Sequence, residues 1–166
     1  TLELPHQALA ALFSRARAAR VPVVLNATPE PADGRTLVPL ADVLIVNETE
    51  ASELLADGSG DWSDVAKALQ KLGPSAVVIT LGKSGAIGLF GEQTVAIEAP
   101  KVEAIDSTGA GDAFCGAFAA RLAEGAEPET ALHAAVAAGS LSVTIEGAQR
   151  SMPRREQIEA LLASIR

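Results

Sequence analysis

Seven consecutive residues, Asp106-Ser107-Thr108-Gly109-Ala110-Gly111-Asp112, have the types and spacing to do chemistry. Glycine and alanine leave the backbone uncovered, so a ligand can approach it closely. The following residues, Ala113-Phe114-Cys115-Gly116-Ala117-Phe118, open a helical pattern that runs from about Ala113 to Ala123. The first N–H groups of a helix lack internal partners and carry the positive end of its dipole. The backbone of Gly109, Ala110, Gly111 and Asp112 would therefore form an anion hole for a phosphoryl group. A carboxylate at Asp112 would stand beside that group and could take the proton of an attacking alcohol. Asp106 could ligate a cation or tie down the turn. The spacing alone equally suits a glycine-rich turn with Asp112 as a helix-start acid, worth a few tenths of a kcal/mol.

Two other phosphate-binding patterns fail. Gly82-Lys83-Ser84 ends like a Walker A loop, but position 77, where the first glycine belongs, is Val. A dinucleotide fingerprint would need a third glycine where Phe114 stands.

The elements that must position these residues can be read from apolar runs. A helical stretch follows Pro5, with apolar residues at Leu9, Leu12, Phe13 and Ala16. Val21-Pro22-Val23-Val24-Leu25-Asn26, Val43-Leu44-Ile45-Val46 and Ala76-Val77-Val78-Ile79-Thr80 read as buried strands. Between the first two lies a loop over 27–35 that holds three prolines or glycines. Helices are expected over 48–55, 61–72, 128–143 and 154–165. Asp57-Gly58-Ser59-Gly60 reads as a turn, and 86–90 with 94–97 as a hairpin around Gly91-Glu92. Strands with continuous apolar cores that alternate with helices make a mostly parallel α/β sheet flanked by helices. Ligands of such sheets bind beyond the carboxyl ends of the strands. Asn47, Thr80 to Gly82 and the 106–112 loop all fall there.

Composition limits the partners. The net charge of −8 argues against nucleic acid, whose phosphates call for clustered Lys and Arg. Arg15, Arg17 and Arg20 are too few to alter that. Apolar residues make up 48 % of the chain, so a packed core is expected. No apolar run reaches membrane-spanning length. The single cysteine, Cys115, fits a reducing, cytoplasmic setting and reads as a small buried helix residue.

The 106–118 segment resembles the carboxy-terminal signature of the ribokinase-like, PfkB-type carbohydrate kinases. Asn47-Glu48-Thr49-Glu50 is similar to that family's Asn-x-x-Glu motif. Thr80-Leu81-Gly82-Lys83-Ser84-Gly85 is similar to its nucleotide loop, and Gly147-Ala148-Gln149, with Ser151 and Pro153, to its tail. The resemblance implies a ribokinase-like fold and ATP-dependent phosphorylation of a sugar hydroxyl. It implies Asp112 as the base and Gly109, Ala110 and Gly111 as the anion hole. Asn47 and Glu50 match the pair that handles nucleotide phosphates and, through water, Mg²⁺. Thr80, Gly82 and Gly85 match ATP contacts, and Ala138 and Gly139 match the helix beside the adenine. Asp106, Thr108, Ser142, Ile145, Gly147 and Ser151 match positions that bind a monovalent cation such as K⁺, most of them through carbonyl oxygens.

Members of that family are much longer. Their first half carries the sugar contacts, the lid strands and much of a homodimer surface. The resemblance therefore covers the carboxy-terminal, nucleotide-binding and catalytic part, over residues 1–166. The sugar stays open among ribose, fructose, a keto-deoxy sugar acid and a nucleoside. A rival reading is a nucleotide-binding fragment without turnover.

Overall fold

The computed structural model describes residues 1–55 and 60–165. The turn expected over Asp57-Gly58-Ser59-Gly60 lies, in its first three residues, outside the described residues. Contacts divide the chain into two compact units. One comprises Thr1–Gly82 with Ile87–Val95, the other Lys83–Ala86 with the chain from Ala96 onward.

The first unit opens with α1 (His6–Ala18). Leu9 and Phe13, one turn apart, are buried, whereas Leu12, expected beside them, is 57 % exposed. Successive helix positions turn by about 100°, and the stripe that the core covers here is too narrow to include Leu12. Arg20, with φ 57, closes the helix in the left-handed region. Val21 N–H reaches Ala16 O at 2.9 Å and Arg20 N–H reaches Arg17 O at 3.0 Å, the paired bonds of a Schellman motif. That motif claims Val21 for the helix end. The first strand is accordingly shorter than its apolar run, with β1 limited to Val24–Asn26.

β2 (Val43–Asn47) and β3 (Ala76–Thr80) fill their expected runs. β1, β2 and β3 pair in parallel, with Leu25 beside Leu44 and Asn47 beside Thr80. Leu44, Ile45, Val77, Val78 and Ile79 are at most 1 % exposed, so β2 and β3 are covered on both faces. Covered faces explain why these strands read as continuous apolar runs. Each such side chain contributes about 1.5–3 kcal/mol by leaving water. β4 (Ala86–Phe90) and β5 (Gln93–Ile97) extend the sheet, whose strand order is β1-β2-β3-β4-β5. Only two residues join β4 to β5, a link that serves antiparallel neighbours alone, so the sheet is mixed.

α2 (Glu48–Leu55) follows β2 without a linker, and α3 (Trp62–Gln70) precedes β3. Asp61 caps α3 by accepting from Ser63 N–H at 2.8 Å. Val65, Ala66 and Leu69 turn its apolar face inward.

The second unit is helical: α4 (Ala110–Ala123), α5 (Pro128–Ser142), the short α6 (Ala148–Ser151) and α7 (Arg155–Ser164). α4 begins three residues earlier than the sequence reading has it. Gly109, at φ 79, caps it in a left-handed conformation, so the helix already includes Ala110 and Gly111. α4 packs along α5. At Gly139 the helices approach so closely that an added Cβ would lie 3.5 Å from Ala110 O and 3.8 Å from Phe114 Cβ. Phe118 is fully buried. No described helix is long and apolar enough to cross a membrane.

Candidate active site

The site candidates fall in both units, and each group is built by its own elements. In the first unit, Asn47 ends β2 and caps α2. Glu50 N–H donates to Asn47 Oδ1 at 2.9 Å, and Asn47 N–H donates to Glu50 Oε2 at 2.8 Å. This reciprocal arrangement is a capping box with Asn in the cap position. Glu50 is 7 % exposed while Asn47 stands in the open. The box spends one oxygen of each side chain. The Asn47 amide nitrogen and Glu50 Oε1 have no hydrogen bond among the described residues. Thr80, the register neighbour of Asn47, is partly buried, and its hydroxyl makes only a long 3.5 Å contact with Val46 O.

Gly82 and Gly85 differ sharply. Gly82 has φ 52, and an added Cβ there would meet nothing within 4 Å. Gly85 has φ 105, and an added Cβ would overlap the Ile97 carbonyl oxygen and come within 2.8 Å of Ala99 N. Close backbone packing is thus enough to require glycine at 85. Open space lies over Gly82.

In the second unit, the turn ahead of α4 is strapped from several sides. Asp106 Oδ1 accepts from Thr108 N–H at 2.9 Å and from Thr108 Oγ1 at 2.7 Å. Asp106 Oδ2 accepts from Gly147 N–H at 2.8 Å. Ile105 and Asp106 N–H both donate to Val143 O, at 2.7 and 3.2 Å. The Thr108 hydroxyl first, then the Thr108 and Gly147 amides, hold the Asp106 carboxyl below its ordinary pKa.

At the helix start, Ala110 N–H donates to Ser107 O at 3.1 Å, and Ala113 N–H to Gly109 O at 2.9 Å. Ala110, counted among the anion-hole donors in the sequence, thus spends its N–H inside the turn. The N–H groups of Gly111 and Asp112 have no partner among the described residues. Gly111 also presents an open face, with nothing within 4 Å of an added Cβ. The Asp112 side chain is exposed. Donors, dipole and carboxylate therefore share one helical turn, which can hold an anion and accept a proton next to it.

Ser142 and Ser151 are buried at 0 % and 1 % exposure. Ser142 Oγ donates to Ser151 Oγ at 3.0 Å, and Ser151 Oγ to Ala148 O at 2.8 Å. Their hydroxyls are spent on each other. Ile145 is 43 % exposed and Gly147 has φ 88. What the 142–151 segment offers a cation is therefore carbonyl oxygens, with the Asp106 carboxylate beside them. That set suits a large singly charged ion. No group of three or more His, Cys, Asp or Glu side chains able to hold a metal occurs among the described residues.

Two cavities flank α5. The larger, about 260 Å³, is lined by Asp112, Gly116, Ala120, Ala138, Met152 and Arg155. The smaller, about 160 Å³, is lined by Ile97, Pro100, His133, Val136, Ala137 and Leu162. Ala138, expected beside the adenine, lines the larger cavity, and an added Cβ on Gly139 would stand near Ala110 O and Phe114. The smaller apolar cavity belongs to the neighbouring residues His133, Val136 and Ala137. Helical periodicity on an all-alanine stretch cannot decide between these faces, because every face is apolar.

The profile of the pfkB family carbohydrate kinases matches residues 1–155. The chain belongs to that family. It is 38 % identical to a ribokinase from Staphylococcus aureus (strain COL) over 161 residues, which cover 95 % of this chain and 53 % of that protein. The Arabidopsis thaliana ribokinase solved with ribose and ATP superposes with a TM-score of 0.86 at 34 % identity, over 97 % of this chain and 54 % of that one. A fructokinase double mutant from Vibrio cholerae O395, solved with fructose, ADP and a potassium ion, superposes with a TM-score of 0.83 at 25 % identity, over 94 % of this chain and 55 % of that one. The fold of this pfkB-family chain is ribokinase-like. It spans about half the length of the relatives it matches.

Proposed function

We propose that this chain is the nucleotide-binding and catalytic part of an ATP-dependent sugar kinase. The observation that carries the reading is the first turn of α4. There, the Gly111 and Asp112 N–H groups, without a partner among the described residues, belong to the same helical turn as the exposed Asp112 carboxylate on a pfkB-family chain. Phosphoryl transfer needs positioning and charge neutralisation more than covalent help from the protein. The helix start supplies the charge for the γ-phosphoryl group, with Gly109 shaping the turn. Asp112 accepts the proton of the sugar hydroxyl as that oxygen attacks.

The remaining roles follow from the chemistry left free. The Asn47 amide donates to nucleotide phosphates, and Glu50 Oε1 takes a water of hydrated Mg²⁺. The backbone at Thr80 and Gly82 carries the ATP, and the base enters the cavity beside His133, Val136 and Ala137. The carbonyl-rich loop of Asp106, Thr108, Ser142, Ile145, Gly147 and Ser151 takes K⁺, in keeping with the fructokinase relative solved with potassium. Ribose is the preferred sugar of the reading, because the ribokinases named above are 34–38 % identical.

In the whole protein, Asp112→Ala should abolish transfer to a sugar while Mg·ATP binding survives. ADP release and calorimetry would measure the two, and turnover near wild type would overturn the role given to Asp112. A second reading, nucleotide binding without turnover, is favoured for the 166 residues alone by their covering about half of each relative. Calorimetry of this chain with Mg·ATP, paired with an assay on ribose, separates the two readings. Turnover with ribose would end the second.

A further inference from the structure

We infer that Glu124 and Arg155 are positioning residues for nucleotide binding: their ion pair ties α7 to the end of α4 and so seats α7 as a wall of the cavity for the base. That role rests on the function proposed above, which puts the base beside His133, Val136 and Ala137.

α7 is ten residues long, too short to be stable by itself in water. None of its residues is buried, whereas α5 buries Ala131, Leu132 and the whole run from Ala134 to Ala138. The residues that α7 turns toward the two cavities form one stripe, at helical spacings of three and four. Arg155, Ile158 and Glu159 line the larger cavity. Leu162 and, just past the helix, Ile165 line the smaller one. One face of a weakly covered helix therefore bounds both cavities.

Charge supplies the hold that burial does not. Arg155 Nη2 donates to Glu124 Oε1, and Arg121 Nη1 donates to Glu124 Oε2 at 3.3 Å. Arg121 Nη1 also lies 3.8 Å from Glu159 Oε1. The charges alternate along Arg155, Glu124, Arg121 and Glu159, and two links cross from α4 to α7 one turn apart. A single exposed pair contributes little, but here Glu124 and Arg121 each serve two partners. A helix carries that hold along its axis from Arg155 to Leu162, about two turns on. With no buried side chain, α7 belongs to the least stable elements of the chain. The base meets its wall only in molecules whose α7 is seated, so weaker seating lowers affinity in proportion.

The test combines amide hydrogen exchange of the 166-residue chain with calorimetry. The Arg155 and Glu124 side chains are 54 % and 37 % exposed, so replacing them leaves the core intact. Glu124→Gln and Arg155→Met should each speed exchange over α7 about three- to fivefold, the size of a lost exposed ion pair. Mg·ATP and Mg·ADP should weaken alike, by about threefold, because both carry the base. Mg·tripolyphosphate, which has no base, should bind as in the wild type. The double variant should lose no more than the larger single loss, because the two side chains form one pair. Arg155→Lys, which keeps the charge, should retain most of the affinity. Unchanged α7 exchange in the two single variants would overturn the inference. So would an equal loss of tripolyphosphate affinity, the mark of a general structural change. A wild-type chain that binds neither nucleotide would sink the base cavity and the inference with it, whereas wild-type binding with unmoved affinities in the variants would sink the inference alone.

Discussion

Asn47 and Glu50 hold each other at the junction of β2 and α2, each accepting the other's backbone N–H at 2.8–2.9 Å. The pair is a helix cap first, and the same geometry leaves one amide nitrogen and one carboxylate oxygen without a partner among the described residues. Structural and ligand roles can be separated by substitution. Asn47→Ala should cost about 1 kcal/mol in urea unfolding, the usual loss for a missing cap. Asn47→Asp keeps an acceptor in the cap and should leave stability near wild type, yet it replaces the amide donor with a negative charge. Mg·ATP affinity should then fall in both variants. Wild-type ATP affinity in the Asn47→Asp variant would remove phosphate recognition from this residue.

Gly82 and Gly85 should respond differently to alanine. Gly85→Ala combines left-handed strain, about 1–3 kcal/mol, with overlap on the Ile97 carbonyl, so thermal melting should show a loss above about 2 kcal/mol. Gly82→Ala meets open space and should cost about 1 kcal/mol from its φ alone. If the space over Gly82 receives nucleotide, Gly82→Ala should weaken ATP binding beyond that small loss of stability. Equal melting losses for the two would contradict the packing reason given for Gly85.

Acid should loosen the 106–109 turn through Asp106. Its folded-state pKa lies below the ordinary value because Thr108 and Gly147 donate to the ionised carboxylate. The stabilisation is complete above the ordinary aspartate pKa, about 3.9, and is lost as the pH falls through the lowered folded value. Asp106→Asn can accept through only one of the two oxygen positions, so it should flatten that acid limb below about pH 4. Unfolding followed against pH should show the wild-type and Asn curves converging at the acid end. Curves that stay parallel would mean the bonds to Thr108 and Gly147 do not favour the ionised form.

α4 carries the proposed base, and its seat depends on Phe118, which is fully buried. Phe118→Ala should cost about 3–5 kcal/mol, through lost transfer energy and the cavity left behind. Calorimetric melting would read this directly. Phe118→Leu keeps most of the volume and should lose far less.

Several features are legible in the residues. β2 and β3 sit where continuous Val, Leu and Ile runs place them, because strands covered on both faces need no polar alternation. α2 fills the span 48–55 expected of it, whereas its Asn47–Glu50 cap came from the structure. α4 starts three residues before its apolar pattern does, since local patterning does not tell that Gly109 adopts φ 79. Leu12 escapes the core because one apolar residue beyond a helical stripe looks, in sequence, the same as one on it.

By itself the sequence determined which groups capable of chemistry lie close together along the chain: glycine, alanine and aspartate in one short segment, and Asn47 and Glu50 three residues apart. Backbone preferences and spacing are local, so local sequence records them. Only the tertiary structure decided how those groups are used. It spent the Ala110 amide inside its own turn, buried the Ser142 and Ser151 hydroxyls against each other, and set Ala148 behind Gly109. Tertiary hydrogen bonds here join residues as far as 41 positions apart, as between Asp106 and Gly147. Such bonds depend on how α4, α5 and α6 pack, and in an alanine-rich region where every helix face is apolar, periodicity carries no signal of that packing.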